Sequence, residues 1–170
     1  MKPSMRRRYV LLLAGVLANA NAQALPTVAQ QSTIAPAATG RAIIDPVNPE
    51  AVAAATKATD HWLAIVDEGK FADSWKDAAV VFRLGVTETE WVTELEAIRA
   101  RLGRTTMREL RAAKFSTTVR GAPLTGEYVT LSYLTQFANA PIAAETLIVS
   151  KEADGEWRIA GYTIGKAPDQ

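Results

Sequence analysis

His61 is the only histidine in a chain of 170 residues, and an imidazole of ordinary pKa, about 6.5, is the side chain that changes charge nearest neutrality. It follows Asp60, and Asp67 comes seven residues later, so on a helix the two carboxylates share one side about two turns apart. Further along, Tyr133 and Glu145 supply a phenol and a carboxylate. If a curved sheet brought them into an apolar cone, burial would raise the carboxyl pKa toward a range useful for proton transfer. Arg83, Arg99, Arg101, Arg104, Arg108 and Arg111 make the middle of the chain basic. The planar guanidinium fork suits a clamp for a carboxylate or other anion. Arg83 and Arg108 are the best placed for it, since both follow apolar stretches near element ends. Trp75 and Phe137 could line the same pocket, which makes Arg83, Arg108, Trp75 and Phe137 the candidate ligand-binding set and His61, Tyr133 and Glu145 the candidate catalytic set.

Each residue also has a plainer role open to it, and the plainer role is the better supported. No Ser or Cys nucleophile signature accompanies His61, whose ring can simply cover apolar surface at a boundary. Asp60 and Asp67 fit the solvated side of an amphipathic helix. The arginines have Glu88, Glu94, Glu96 and Glu109 nearby, with Glu96 and Arg99 at i and i+3. Tyr133 reads equally as a core aromatic with its hydroxyl satisfied. There is no Gly-rich phosphate loop, nucleophile elbow or calcium-loop spacing. With no cysteine anywhere, disulfides, thiol catalysis and thiolate metal sites are excluded. The expectation is a protein with no metal and no cofactor.

Any such site must be positioned by the elements around it. Asn48-Pro49-Glu50 is a helix start, with a strong N-cap, a proline suited to the first position and an acid at the positive end of the dipole. Val52, Ala55, Thr59, Trp62, Leu63 and Val66 then make one apolar stripe, and Gly69 ends the helix. A short helix is expected over Phe71–Ala79. Thr87-Glu88-Thr89-Glu90 fits a capping box for a third helix, whose Trp91, Leu95, Ile98 and Leu102 share a face up to Gly103. Beyond Gly103 the period becomes two. Four strands are expected, over Thr106–Phe115, Glu127–Ala138, Ala143–Glu152 and Glu156–Gly165, the last two joined at Asp154-Gly155. Strict alternation in the last would put Ile159 and Tyr162 on opposite faces. Helices followed by antiparallel strands predict an α+β domain, two or three N-terminal helices packed on a four-stranded, curved sheet, over residues 48–166.

What precedes the domain reads as an address. Lys2, Arg6, Arg7 and Arg8 lead into a short apolar run, Tyr9–Ala18, and Ala20-Asn21-Ala22 has the small-x-small pattern of a signal-peptidase site. A bilayer-spanning helix needs about 20 apolar residues, so the layout predicts a signal peptide over 1–22, cleaved after Ala22, and an exported, periplasmic or secreted protein. Residues 23–47, rich in Pro, Ala and Gln, read as a flexible leader in which Ile43-Ile44 could dock locally on the domain. Residues 167–170 form a tail. Cleavage would remove four basic and no acidic residues, leaving 15 basic against 18 acidic of the original 19 and 18. That balance gives no support for nucleic-acid binding, and no membrane span is expected after cleavage.

Five blocks in order carry a family resemblance: HWLAIVDEGKFADSWKDAA, VTETEWVTELEAIRARLG, MREL, GEYVTLSYLTQFAN and ETLIVSKEADGEWRIAGYTI. Over Ala55 to Ile164 the chain resembles the small exported bacterial proteins of domain-of-unknown-function family 4019. In architecture it is also similar to cystatin-like and nuclear-transport-factor-2-like domains, which implies helices packed into a curved sheet and no particular activity. The functional expectation is an exported accessory protein that binds an envelope protein or a small apolar ligand. The alternatives are a cofactor-free acid/base enzyme, isomerase- or hydrolase-like, with a pocket between helices and sheet, and a structural protein that self-associates through its sheet.

Overall fold

A computed structural model describes residues 42–44, 47–119 and 125–167. The proposed signal peptide, most of the leader and the tail from 168 onward lie outside them. The first helix, α1 (Pro49–Asp67), starts where expected: the Asn48 side chain accepts a hydrogen bond from the Ala51 N–H at 3.1 Å. Its buried stripe is Ala51, Val52, Ala55, Thr59, Trp62, Leu63 and Val66. Among the described residues four helices form rather than two or three. The chain predicted to be helical to Ala79 leaves α2 (Phe71–Asp77) at Ala78, turns extended, and restarts as α3 (Val80–Gly85). The break has a physical cause, since the Ala79 N–H donates to the Ile159 carbonyl at 2.9 Å and pins this point of the chain to the sheet. The last helix, α4 (Glu88–Leu102), has both halves of the predicted capping box, and Gly103 at φ 76° ends it.

Among the described residues the sheet holds five strands rather than four, in the order β1 (Ile43–Ile44), β2 (Thr105–Ser116), β3 (Tyr128–Phe137), β4 (Ala140–Lys151) and β5 (Trp157–Lys166). The additional strand is the isoleucine pair of the proline-rich segment, which runs parallel to β2 with Ile43 opposite Ala112 and Ile44 opposite Ala113. Every other neighbour is antiparallel. Register shifts interrupt the β2–β3 pairing twice, the β3–β4 pairing once and the β4–β5 pairing once; bulges of this kind bend and twist strands, which gives the sheet its curvature. The β5 bulge also overturns the expected alternation. Val149 pairs with Ile159 and Ile148 with Gly161, so Ala160 is an extra residue and both Ile159 and Tyr162 are buried.

The core is an aromatic wedge between the helices and the concave face. Trp62 of α1 and Trp91 of α4 lie 5.9 Å apart between ring centroids, and both meet Tyr162 of β5 edge-on, at 5.3 and 6.2 Å. Phe82 of α3 closes on Trp91 at 5.0 Å. Two buried indoles need partners for their N–H groups, and Ser74 of α2 serves both. Its carbonyl accepts from Trp62 Nε1 at 2.7 Å, and its hydroxyl accepts from Trp91 Nε1 at 3.0 Å while donating to the Phe71 carbonyl. Replacing Ser74 with Ala leaves the Trp91 N–H buried without a partner. Chemical denaturation should show a loss of about 1–3 kcal/mol, with the Ser74→Thr chain, which keeps the hydroxyl, closer to wild type.

Candidate functional site

The concave face carries one group that has no ordinary business in a core, the side chain of Glu145, fully buried in mid-strand on β4. Its neighbours follow from the register. Tyr133 stands directly opposite on β3, Arg108 of β2 stands opposite Thr135 of β3, and Tyr162 of β5 is paired with Leu147, two residues on from Glu145 along β4. Arg108 reaches past Thr135 to place its Nε 2.7 Å from Glu145 Oε2. The Thr135 hydroxyl donates to the same oxygen, and the Tyr162 hydroxyl donates to Oε1. A buried carboxylate is tolerated only when paired and hydrogen-bonded; here both oxygens are engaged, one by a cation and a hydroxyl, the other by a phenol.

The network continues to the rim. Arg108 Nη1 lies 2.6 Å from Asp67 Oδ2, at the C-terminal end of α1. Arg99 of α4 adds a second cation at 2.9 Å from Asp67 Oδ1, and the Thr105 hydroxyl donates to that oxygen at 2.9 Å. Arg99 also stacks over the Phe137 ring at 5.3 Å. Burial alone would raise the Asp67 pKa, but the hydrogen bond and charge of Arg108, the charge of Arg99 and the Thr105 hydroxyl outweigh it and hold the carboxyl below its ordinary range. Burial works against the charge on Arg108, while Asp67 and Glu145 more than reverse this and raise its pKa. Burial, with the Glu145 charge beside it, pushes the Tyr162 phenol well up. Tyr162 therefore stays a proton donor throughout the neutral range.

Tyr133 is the odd member. It is 5 % exposed and its hydroxyl has no hydrogen-bond partner among the described residues. Burial first, then the nearby Asp60 charge, raises its pKa. Asp60 itself is raised by partial burial, with Arg108 pulling the other way.

The candidates from the sequence are thus distributed unequally. Arg108, Tyr133 and Glu145 share the inner face, and Phe137 joins them through Arg99. His61 sits on the exposed side of α1. Arg83 is at the helix side, where its Nη1 donates to the carbonyls of Lys76 and Ala78 at 2.5 and 3.0 Å and ties down the end of α2. Trp75 donates its indole N–H to the Val86 carbonyl at 2.9 Å. Of the glutamates considered as arginine partners, Glu109 pairs with Arg111 at 3.0 Å, whereas Arg99 turns to Asp67. Thr135, Tyr162 and Ser74 carry no sequence signal that separates them from ordinary strand and helix residues. The partners of Glu145 lie 10 to 37 positions away, so only the strand register could have revealed them. Arg108 Nη2 adds a longer contact to Oε1 at 3.4 Å, so each oxygen of the central carboxylate meets two donors and the assembly is a closed charge network.

The profile of the family described as "Protein of unknown function (DUF4019)" matches residues 58–162. No curated protein matches the chain. Among solved structures, one from Shewanella frigidimarina, provisionally described as a ketosteroid isomerase, is 20 % identical, with 73 % of this chain and 100 % of that one covered at a TM-score of 0.47. ActVI-ORFA from Streptomyces coelicolor is 16 % identical over 66 % of this chain and 91 % of its own, also at 0.47. A protein of the NTF2-like family from Streptomyces avermitilis, provisionally described as a dehydratase, is 14 % identical over 69 % and 96 %, again at 0.47. Likenesses at this level assign no activity.

Two measurements follow from the network. Arg108→Met should cost about 3–5 kcal/mol in urea denaturation, because it strands the buried Glu145 charge. Glu145→Leu should cost less, about 1–3 kcal/mol, because Arg108 keeps Asp67 and the loss falls on the Thr135 and Tyr162 hydroxyls, which lose their acceptor. The double replacement should cost less than the sum of the two; additive losses would show that the two side chains are not coupled. The second concerns acid. Because the folded-state pKa of Asp67 is depressed, its contribution is fully present above its unfolded value of about 3.9 and is lost as pH falls through the lower folded value. Asp67→Asn should be less stable than wild type at neutrality, and the gap should narrow on acidification through that window in pH-dependent thermal unfolding.

Proposed function

The chain belongs to the DUF4019 family, and we propose that it is an exported, non-catalytic interaction module that contacts an envelope protein through the outer face of its sheet. The observation that carries this reading is the chemistry of that face. Thr130, Ser132 and Leu134 of β3 are paired with Ile148, Thr146 and Ala144 of β4. All six are part-exposed, lie outside the core built by helices and inner face, and are uncharged. Charges enter at the β2 margin, where Lys114 and Glu109 pair with Thr130 and Leu134. An uncharged centre with a charged rim is the anatomy of a protein contact surface. The interior favours the same conclusion over acid–base chemistry: the oxygens of Glu145 are already taken, and the aromatic wedge occupies the space above the sheet. The basic, then apolar, then small-residue pattern of residues 1–22 supports export.

A photo-crosslinking amino acid placed at Ser132 or Thr146 should capture one discrete protein in intact cells, and the same probe at Lys57, on the exposed side of α1, should capture none. Adducts from Lys57 alone, or none from the outer face, would overturn the reading. Intact-mass measurement of the protein recovered from its host should give an N-terminus at Gln23; a mature chain that retains Met1–Ala22 would refute export by this signal.

A further inference from the structure

We propose that the protein met by the outer face is a second copy of this chain, the two sheets packed face to face about a two-fold axis that runs across the strands. The inference rests on the outer-face reading above and names its partner.

The strand register divides the outer face into rows that cross the sheet. A middle row is formed by Ala112, Ser132, Thr146 and Thr163, one residue from each strand from β2 to β5. On one side of it lie Glu109, Leu134, Ala144 and Gly165, and on the other Lys114, Thr130, Ile148 and Gly161. None of these residues is buried. Ile43 stands opposite Ala112 and extends the middle row to the β1 margin, where it is 76 % exposed. The middle row is therefore small and uncharged across the sheet, with one large apolar side chain left in water at its end.

Charge and size select the occupant. An axis along the middle row lays each flanking row over the other flanking row of the second copy. Glu109 then faces Lys114 of the second copy, and Lys114 faces its Glu109, so opposite charges meet on both sides of the axis. Arg111 takes Oε1 of Glu109 at 3.0 Å, and an ammonium arriving from the other chain adds to that pair at Oε2. Lys114 makes no ion pair of its own among the described residues. Sizes match as well, since Ile148 faces Ala144, Leu134 faces Thr130 and Gly165 faces Gly161. Small residues along the axis let the sheets approach closely, and Ile43 meets Ile43 of the second copy, which takes both out of water. An axis along the strands would instead set Lys114 and Glu109 over Gly161 and Gly165 and lose both charge pairs. Self-complementarity under a two-fold is what an isologous contact requires, and it favours a copy of this chain over an unrelated protein.

The two charges pair between chains, so a reversal in one chain can be rescued by the other. Protein recovered from its host should sediment at equilibrium as a dimer. Lys114→Glu alone and Glu109→Lys alone should each weaken that dimer by about tenfold, because each sets like charges together on both sides of the axis. An equimolar mixture of the two variants should dimerise as the wild type does, since the mixed dimer restores both opposite-charge pairs. A charge effect confined to one chain would not be rescued by mixing. A chain that is monomeric at all concentrations, a dimer indifferent to both reversals, or a mixture no tighter than its components would overturn the proposal. The photo-crosslinking probe at Thr146 separates this failure from failure of the outer-face reading. An adduct of twice the chain mass is expected. An adduct with a different protein would keep the outer face as the contact surface and refute the second copy, and no adduct would refute both.

Discussion

The fold depends on keeping one buried carboxylate satisfied. Glu145 lies in the middle of β4 with no access to water, and its desolvation costs several kcal/mol unless its partners arrive together. Those partners come from β2, β3 and β5, and the cation among them is shared with α1 through Asp67. A one-residue slip of β2 against β3, or of β5 against β4, would turn Arg108 or Tyr162 to the other face and strand the charge. The network therefore specifies register in a sheet whose outer face, a mixture of Thr, Ser, Ala and Ile, specifies it weakly. It also fixes where α1 ends over the sheet, because Arg108 binds Asp67 in the last turn of that helix.

The same requirement explains how the space between helices and sheet is used. Tyr162 must reach Glu145 with its hydroxyl while its ring packs in the aromatic wedge, and Trp62 and Trp91 close on that ring from α1 and α4. Ser74 then makes the wedge possible by accepting both indole N–H groups. The crevice between α4 and β5, lined by Trp91, Leu95, Ile98, Tyr162, Thr163 and Ile164, has a volume of about 10 Å³, roughly enough for one water. The phenol and carboxylate that would make a proton-transfer site in an open cone here hold each other inside a packed one.

Much of the frame was legible because it is written locally. The apolar stripe of α1, the capping box at Thr87 and Glu90, and the turn at Gly155 each depend on residues within a few positions, and each was predicted at its place. The errors have one kind of cause. The break between α2 and α3 is imposed by Ile159, 80 positions from Ala79; the β5 bulge depends on pairing with β4; and β1 is a strand only because β2 offers an edge. The site divides in the same way. Glu145, Tyr133 and Arg108 were visible as residue types, and the register brought them to one face. Nothing local to Thr135, Tyr162 or Asp67 distinguished a network member from an ordinary strand hydroxyl, core aromatic or solvated acid.

The surface of the sheet is uneven. Helices cover one face of the sheet, and the helix connection at Ala79 guards one edge. The other face keeps an uncharged centre, and the other edge ends in two exposed isoleucines. Soluble chains usually blunt such features with lysines, prolines or a covering helix. Here the stabilising investments, the buried ion pair and the aromatic wedge, lie entirely on the guarded side. They would hold the sheet rigid whether or not its outer face and β1 edge are occupied, so a contact there could be made without reorganising the core. A scaffold of this kind leaves the part-exposed strand residues of its outer face free of any duty to the core.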